Sequence, residues 1–103
     1  YACNDDDTIA TIKAVAAETG QVIDPHTAVA VHAARRIPAS ATPMVILSTA
    51  HAAKFPAAVA RAIGRDPDMP AGLKAVMDLP EKLDTLPNDL SLLRQFISNR
   101  LGL

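Results

Sequence analysis

The sequence has 103 residues, half of them hydrophobic, and a formal charge of −1 at neutral pH. A chain of this length buries a moderate core and reads as one domain or part of one, at the small end for an α/β enzyme. With no basic stripe and only 3% aromatic residues, it has neither the charge to track phosphates nor the rings to stack bases, which argues against nucleic acid and anionic membranes as partners.

Residues 4–20 predict a helix, because Ile9, Ile12, Val15 and Ala16 recur at spacings of three and four behind the acidic run Asp5-Asp6-Asp7. Acidic groups in a first turn accept orphan backbone N–H groups and oppose the positive helix end. Gly20 supplies a left-handed stop. Residues 21–23 are brief and β-branched, as in a short strand, and Asp24-Pro25 reads as an N-cap followed by proline at the first helical position. The next helix is expected over residues 25–36, rich in Ala and Val, with Arg35 and Arg36 at its negative end and Pro38 beyond.

After a loop, Pro43 opens a second expected strand. Its run Met44 to Leu47 lacks polar alternation, as in a strand covered on both faces. Parallel pairing of the two strands through the intervening helix would make a right-handed crossover. Pro56 then begins a helix with Val59, Ala62 and Ile63 on one face, closed by Gly64. Four prolines break residues 65–88 into short pieces, one of them an expected helix over 71–79. A final helix, expected from Pro87 or Asn88 to about residue 101, carries Leu90, Leu93, Phe96, Ile97 and Leu101 as an apolar stripe. The expected fold class is therefore α/β, ordered helix, strand, helix, strand, helix and helical tail. Residues 1–64 form the α/β part and residues 65–103 the tail.

A single Cys3 forms no internal disulfide, and the start is acidic instead of basic. No run approaches the roughly 20 apolar residues that span a bilayer. The cytosol is the expected compartment. Because the first residue is Tyr1 and not Met, the chain is expected to be a fragment of a longer polypeptide.

In open α/β sheets ligands collect beyond the carboxyl ends of strands. Ser48 and Thr49, just after the apolar run, therefore outrank the other hydroxyls as site candidates, and the Asp24 turn repeats the arrangement. Asp24, His26, His51 and Lys54 complete the expected pocket edge. Ser48, His51 and Asp24 assemble on paper into a hydrolytic triad, but Ser48 lacks the Gly-x-Ser-x-Gly elbow. Among the three histidines, His26 and His32 point to different faces of one helix, and no cysteine pair accompanies them, so no metal is expected. The acidic run reads as capping ahead of magnesium binding. Lys54 suits either a phosphate contact or solvent. Arg35 and Arg36 read as helix-end charges.

The segments Asp24-Pro25-His26-Thr27-Ala28-Val29-Ala30 and Ser48-Thr49-Ala50-His51-Ala52-Ala53-Lys54-Phe55 resemble the carboxyl-terminal region of the threonine synthase family. So do the Asp5-Asp6-Asp7-Thr8-Ile9 helix start and the closing Leu86-Pro87-Asn88-Asp89-Leu90 before the last helix, so the likeness covers nearly the whole chain. Many relatives carry Pro at the place of Ala52 and Gly at that of Ala30, changes that bear on turn stiffness and packing without removing a reactive group.

The resemblance implies part of a fold-type II pyridoxal-phosphate enzyme that converts O-phosphohomoserine and water to threonine and phosphate. The lysine that holds the cofactor covalently lies in a Ser-Phe-Lys-Asp-like motif that this chain lacks. No catalytic residue is therefore expected here, and the fragment alone is expected to be inactive. Such enzymes place a Ser or Thr hydroxyl near the pyridine nitrogen. Thr49 is the implied residue, with Ser48 second because neighbouring strand residues face opposite sides. The implied partners are the remainder of the polypeptide and a small-molecule substrate. Two other readings stand beside this one: a non-catalytic α/β interaction module, and part of another fold-type II lyase.

Overall fold

Helix α1 (Asp5–Thr19) begins where the Asn4 side chain accepts the Asp7 N–H at 2.8 Å and ends at Gly20, whose φ of 73° is left-handed. The computed structural model describes residues 1–102. Leu103, the last residue of the expected tail, lies outside the described residues. The buried face of α1 is Thr8, Thr11, Ile12 and Val15, spaced three and four apart as one stripe requires. Two threonines fit in this stripe because their hydroxyls donate back to their own helix: Thr8 Oγ1 to the Asn4 carbonyl at 2.8 Å and Thr11 Oγ1 to the Asp7 carbonyl at 2.7 Å.

Helix α2 (Pro25–Ala34) starts from Asp24 with proline at its first position, which fixes φ without sacrificing a needed donor. Its small residues allow close approach, and Ala28 is fully buried against α1. Helix α3 (Pro56–Ile63) turns Val59 and Ala62 inward and stops at Gly64. Ile12, Ala28 and Ala62 form the core, one residue from each helix, with Ile9, Ile23 and Ile63 packed around them. Complete burial of a side chain such as Ile12 contributes about 1.5–3 kcal/mol. A single 3₁₀ turn (Ala52–Lys54), absent from the sequence reading, leads into α3 and buries Ala52 and Ala53.

The expected alternation of helix and strand is not what the chain forms. Among the described residues every regular element is helical, and neither residues 21–23 nor residues 44–47 pair with a strand. The α/β assignment, and with it the right-handed crossover, is therefore corrected to an all-helical arrangement. A strand is a property of two chains in register, and an apolar run without a neighbouring ladder gains no backbone hydrogen bonds from being β-branched. Within this chain Met44, Val45 and Leu47 are instead exposed.

Helix α4 (Ala71–Lys74) is a single turn extended by short i+3 bonds to Leu79, and helix α5 (Leu90–Leu101) is capped by Asp89. Neither buries a residue. The radius of gyration is 19.4 Å, against about 13 Å for a compact domain of 100 residues. The chain is a three-helix unit with an elongated tail. Among the described residues no helix is long and apolar enough to cross a membrane.

Candidate functional site

Asp24 is fully buried, and its position is explained by what it accepts: the His26 N–H at 2.9 Å, the Thr27 N–H at 3.3 Å, and the Thr27 hydroxyl on its second oxygen. A carboxylate at a helix N-terminus meets both orphan donors and the positive end of the helix, so its burial is compensated. Thr27 Oγ1 also lies 3.4 Å from Ser48 Oγ, which carries the hydrogen-bonded chain from α2 to the loop ahead of the 3₁₀ turn.

These groups share a cleft of about 370 Å³ whose walls include Val15, Ile23, Val31 and Ile46 and whose polar groups include Asp24, Thr27, Ser48 and His51. The structure thus brings Asp24, Ser48 and His51 together, as expected for a common edge. It does not make them a triad. His51 Nδ1 caps the 3₁₀ turn by accepting the Ala53 N–H at 3.1 Å, and no hydrogen bond joins His51 to Ser48 among the described residues. With Nδ1 as acceptor, the ring proton of neutral His51 sits on Nε2.

The other three candidates lie beside the cleft and do not line it. Thr49 is exposed, and its hydroxyl has no hydrogen-bond partner among the described residues. His26, also exposed, sets its ring edge-on to Phe55 with centroids 5.0 Å apart, which ties the start of α2 to the start of α3. Lys54 is exposed at the end of the 3₁₀ turn and forms no ion pair among the described residues. Thr27 was missed by the sequence reading. The signal was available: a hydroxyl three residues after an Asp N-cap faces the capping carboxylate.

The family described as "Threonine synthase, C-terminal" matches residues 27–97, well over half of the chain. Threonine synthase of Pseudomonas aeruginosa is 43% identical over 99 residues, covering 94% of this chain and 21% of that protein. Threonine synthase of Escherichia coli is 35% identical, covering 96% of this chain and 23% of that protein. Among solved structures, PLP-bound threonine synthase from Brucella melitensis superposes with a TM-score of 0.78 at 39% identity, over 94% of this chain and 21% of that one. The chain spans about a fifth of the length of these relatives. On this evidence the chain belongs to the threonine synthase C-terminal family.

Proposed function

We propose that this chain is the carboxyl-terminal segment of a cytoplasmic threonine synthase. It works with the remainder of its polypeptide to convert O-phosphohomoserine and water to threonine and phosphate. The observation that carries this reading is the agreement in both sequence and backbone, over nearly the whole chain, with a threonine synthase that binds pyridoxal phosphate.

The residues present fit one edge of that cofactor. Thr49 offers a hydroxyl with no partner among the described residues, exposed in the loop before the 3₁₀ turn. The neighbouring Ser48 hydroxyl is already engaged with Thr27. Thr49 is therefore the group assigned to the pyridine nitrogen, and Ser48 the group that holds the loop to α2. His51 and Lys54 belong to the rim of the same pocket, Lys54 with a charge suited to a phosphate. The chemistry that pyridoxal phosphate supplies when bound is electron withdrawal from the substrate's carbon centres. A neutral hydroxyl holds a proton at the ring nitrogen less firmly than a carboxylate would. Thr49 thereby moderates that withdrawal without abolishing it.

Residues 1–64 form the cofactor-side unit and residues 65–103 a tail laid on the rest of the enzyme. The exposed Leu90, Leu92, Leu93, Ile97 and Leu101 of α5 give that tail an apolar face to bury. The test is to supply the full-length polypeptide with O-phosphohomoserine, serine or threonine and measure released phosphate and new amino acid. Phosphate and threonine formed from O-phosphohomoserine alone are the expected result. Turnover confined to serine or threonine would make the protein a different lyase.

A further inference from the structure

On the face of α1 and α2 away from the Asp24 cleft, Cys3, Asp7 and His32 bring a thiol, a carboxylate and an imidazole together, with donor atoms all within 4.8 Å of one another. Cys3 and Asp7 come from the start of α1 and its approach, and His32 from the last turn of α2. None of the three takes part in the proposed cofactor edge.

His32 is only 7% exposed, and among the described residues its Nε2 is a buried side-chain atom without a hydrogen-bond partner. The other ring nitrogen, Nδ1, lies 3.5 Å from Thr11 Oγ1. The Thr11 hydroxyl already donates to the Asp7 carbonyl at 2.7 Å, so toward His32 its oxygen is the acceptor and Nδ1 carries the proton. That tautomer leaves the Nε2 lone pair facing an Asp7 carboxylate oxygen 3.7 Å away. Two acceptors so placed repel unless a proton or a metal cation lies between them. A metal-bound histidine characteristically donates its second ring N–H to an oxygen, which is the part Thr11 plays here.

We propose that Cys3 Sγ, Asp7 and His32 Nε2 bind a divalent zinc ion, with water in the fourth position. Sulfur, nitrogen and oxygen donors together suit zinc and disfavour magnesium or calcium, which take oxygen ligands. Tetrahedral zinc needs bonds of about 2.0–2.3 Å, so the three donor atoms close on the ion by side-chain rotation of about an ångström. Binding replaces the Cys3 S–H bond with a sulfur–zinc bond and releases that proton to solvent. Partial exposure of Cys3 and Asp7 leaves room for the water ligand, next to a cleft of about 270 Å³ bordered by Asp7, Thr11 and His32. The neighbouring cations are turned elsewhere: Arg35 pairs with Glu18, and Arg36 donates to the His32 carbonyl at 3.2 Å. The ion would pin the segment ahead of α1 to the end of α2, a structural site separate from the cofactor.

The experiment uses the full-length protein, stripped with chelator and titrated with zinc and with cobalt(II), beside the Cys3→Ser and His32→Gln variants. Wild type is expected to take up one more equivalent of zinc than either variant and to show a thiolate-to-cobalt charge-transfer band. Each variant should weaken uptake at this site by at least about 100-fold, the upper end of the loss caused by removing even an outer-shell partner. Because His32 is buried, Cys3→Ser is the deciding variant, with circular dichroism checking its fold. Equal zinc uptake by wild type and Cys3→Ser, or a cobalt spectrum without a thiolate band, would overturn the proposal.

Discussion

Ser48 is tied to the head of α2 by Thr27: the two hydroxyl oxygens lie 3.4 Å apart, and Thr27 also donates to the buried Asp24 carboxylate. This one chain of contacts fixes the loop that presents Thr49. Removing its buried end should therefore be felt at both ends. Asp24→Ala is expected to destabilise the full-length protein by about 1–3 kcal/mol, the cost of a lost N-cap plus stranded donors, and to weaken cofactor binding as a consequence. Urea unfolding and cofactor titration check the two effects. Asp24→Asn, which keeps the capping oxygen, should lose less.

At the centre of the three-helix unit, Ile12 is fully buried. Ile12→Ala should cost about 2–5 kcal/mol and Ile12→Val about 0.5–1.5 kcal/mol, the spread reflecting how far Ala28 and Ala62 can close the space. Thermal unfolding of the two variants provides the comparison.

Gly20 and Gly72 make opposite predictions from the same substitution. A Cβ would meet nothing within 4 Å at either place, so sterics with neighbours do not enter. Gly20 has φ of 73°, and Gly20→Ala should cost about 1–2 kcal/mol because an L side chain is strained there. Gly72 lies inside α4 with no such φ, and Gly72→Ala should stabilise by about 0.4–1 kcal/mol by restricting the unfolded chain. Melting temperatures should move in opposite directions.

The apolar face of α5 gives a test of where the tail lies. If Leu93 and Ile97 are covered in the full-length enzyme, Leu93→Lys and Ile97→Lys should each cost about 1–3 kcal/mol there. Arg94, also exposed on α5, serves as the control: Arg94→Ala should change stability by less than about 0.5 kcal/mol. Equal, negligible effects of all three would show α5 left in solvent.

What could be read from the sequence is what is decided locally. Asp24 caps α2 with its own side chain, and Gly20 and Gly64 stop α1 and α3, because such bonds span two to four residues; the equally local caps Asn4 and Asp89 were not singled out. The stripe Ile9, Ile12, Val15 likewise found the core. The two strands failed because pairing depends on chain brought in from elsewhere, and β-branched residues at 21–23 and 44–47 carry no information about whether a neighbour is present. The cluster of Cys3, Asp7 and His32 escaped for a related reason. Cys3 and Asp7 lie just ahead of and in the first turn of α1 and His32 lies on α2, and only the packing of α1 on α2 makes them neighbours. At the Asp24 edge, Asp24, Ser48 and His51 line one cleft, and the two similar turns that carry them were legible in the sequence; Thr27, which connects Asp24 to Ser48, was not.

The assignment of Thr49 is tested most directly by a crystal structure of the full-length protein with pyridoxal phosphate bound. The account predicts the Thr49 hydroxyl within about 2.7–3.2 Å of the pyridine nitrogen, with Ser48 still held by Thr27. A carboxylate at that nitrogen, or a cofactor seated away from the loop that carries Thr49, would contradict it.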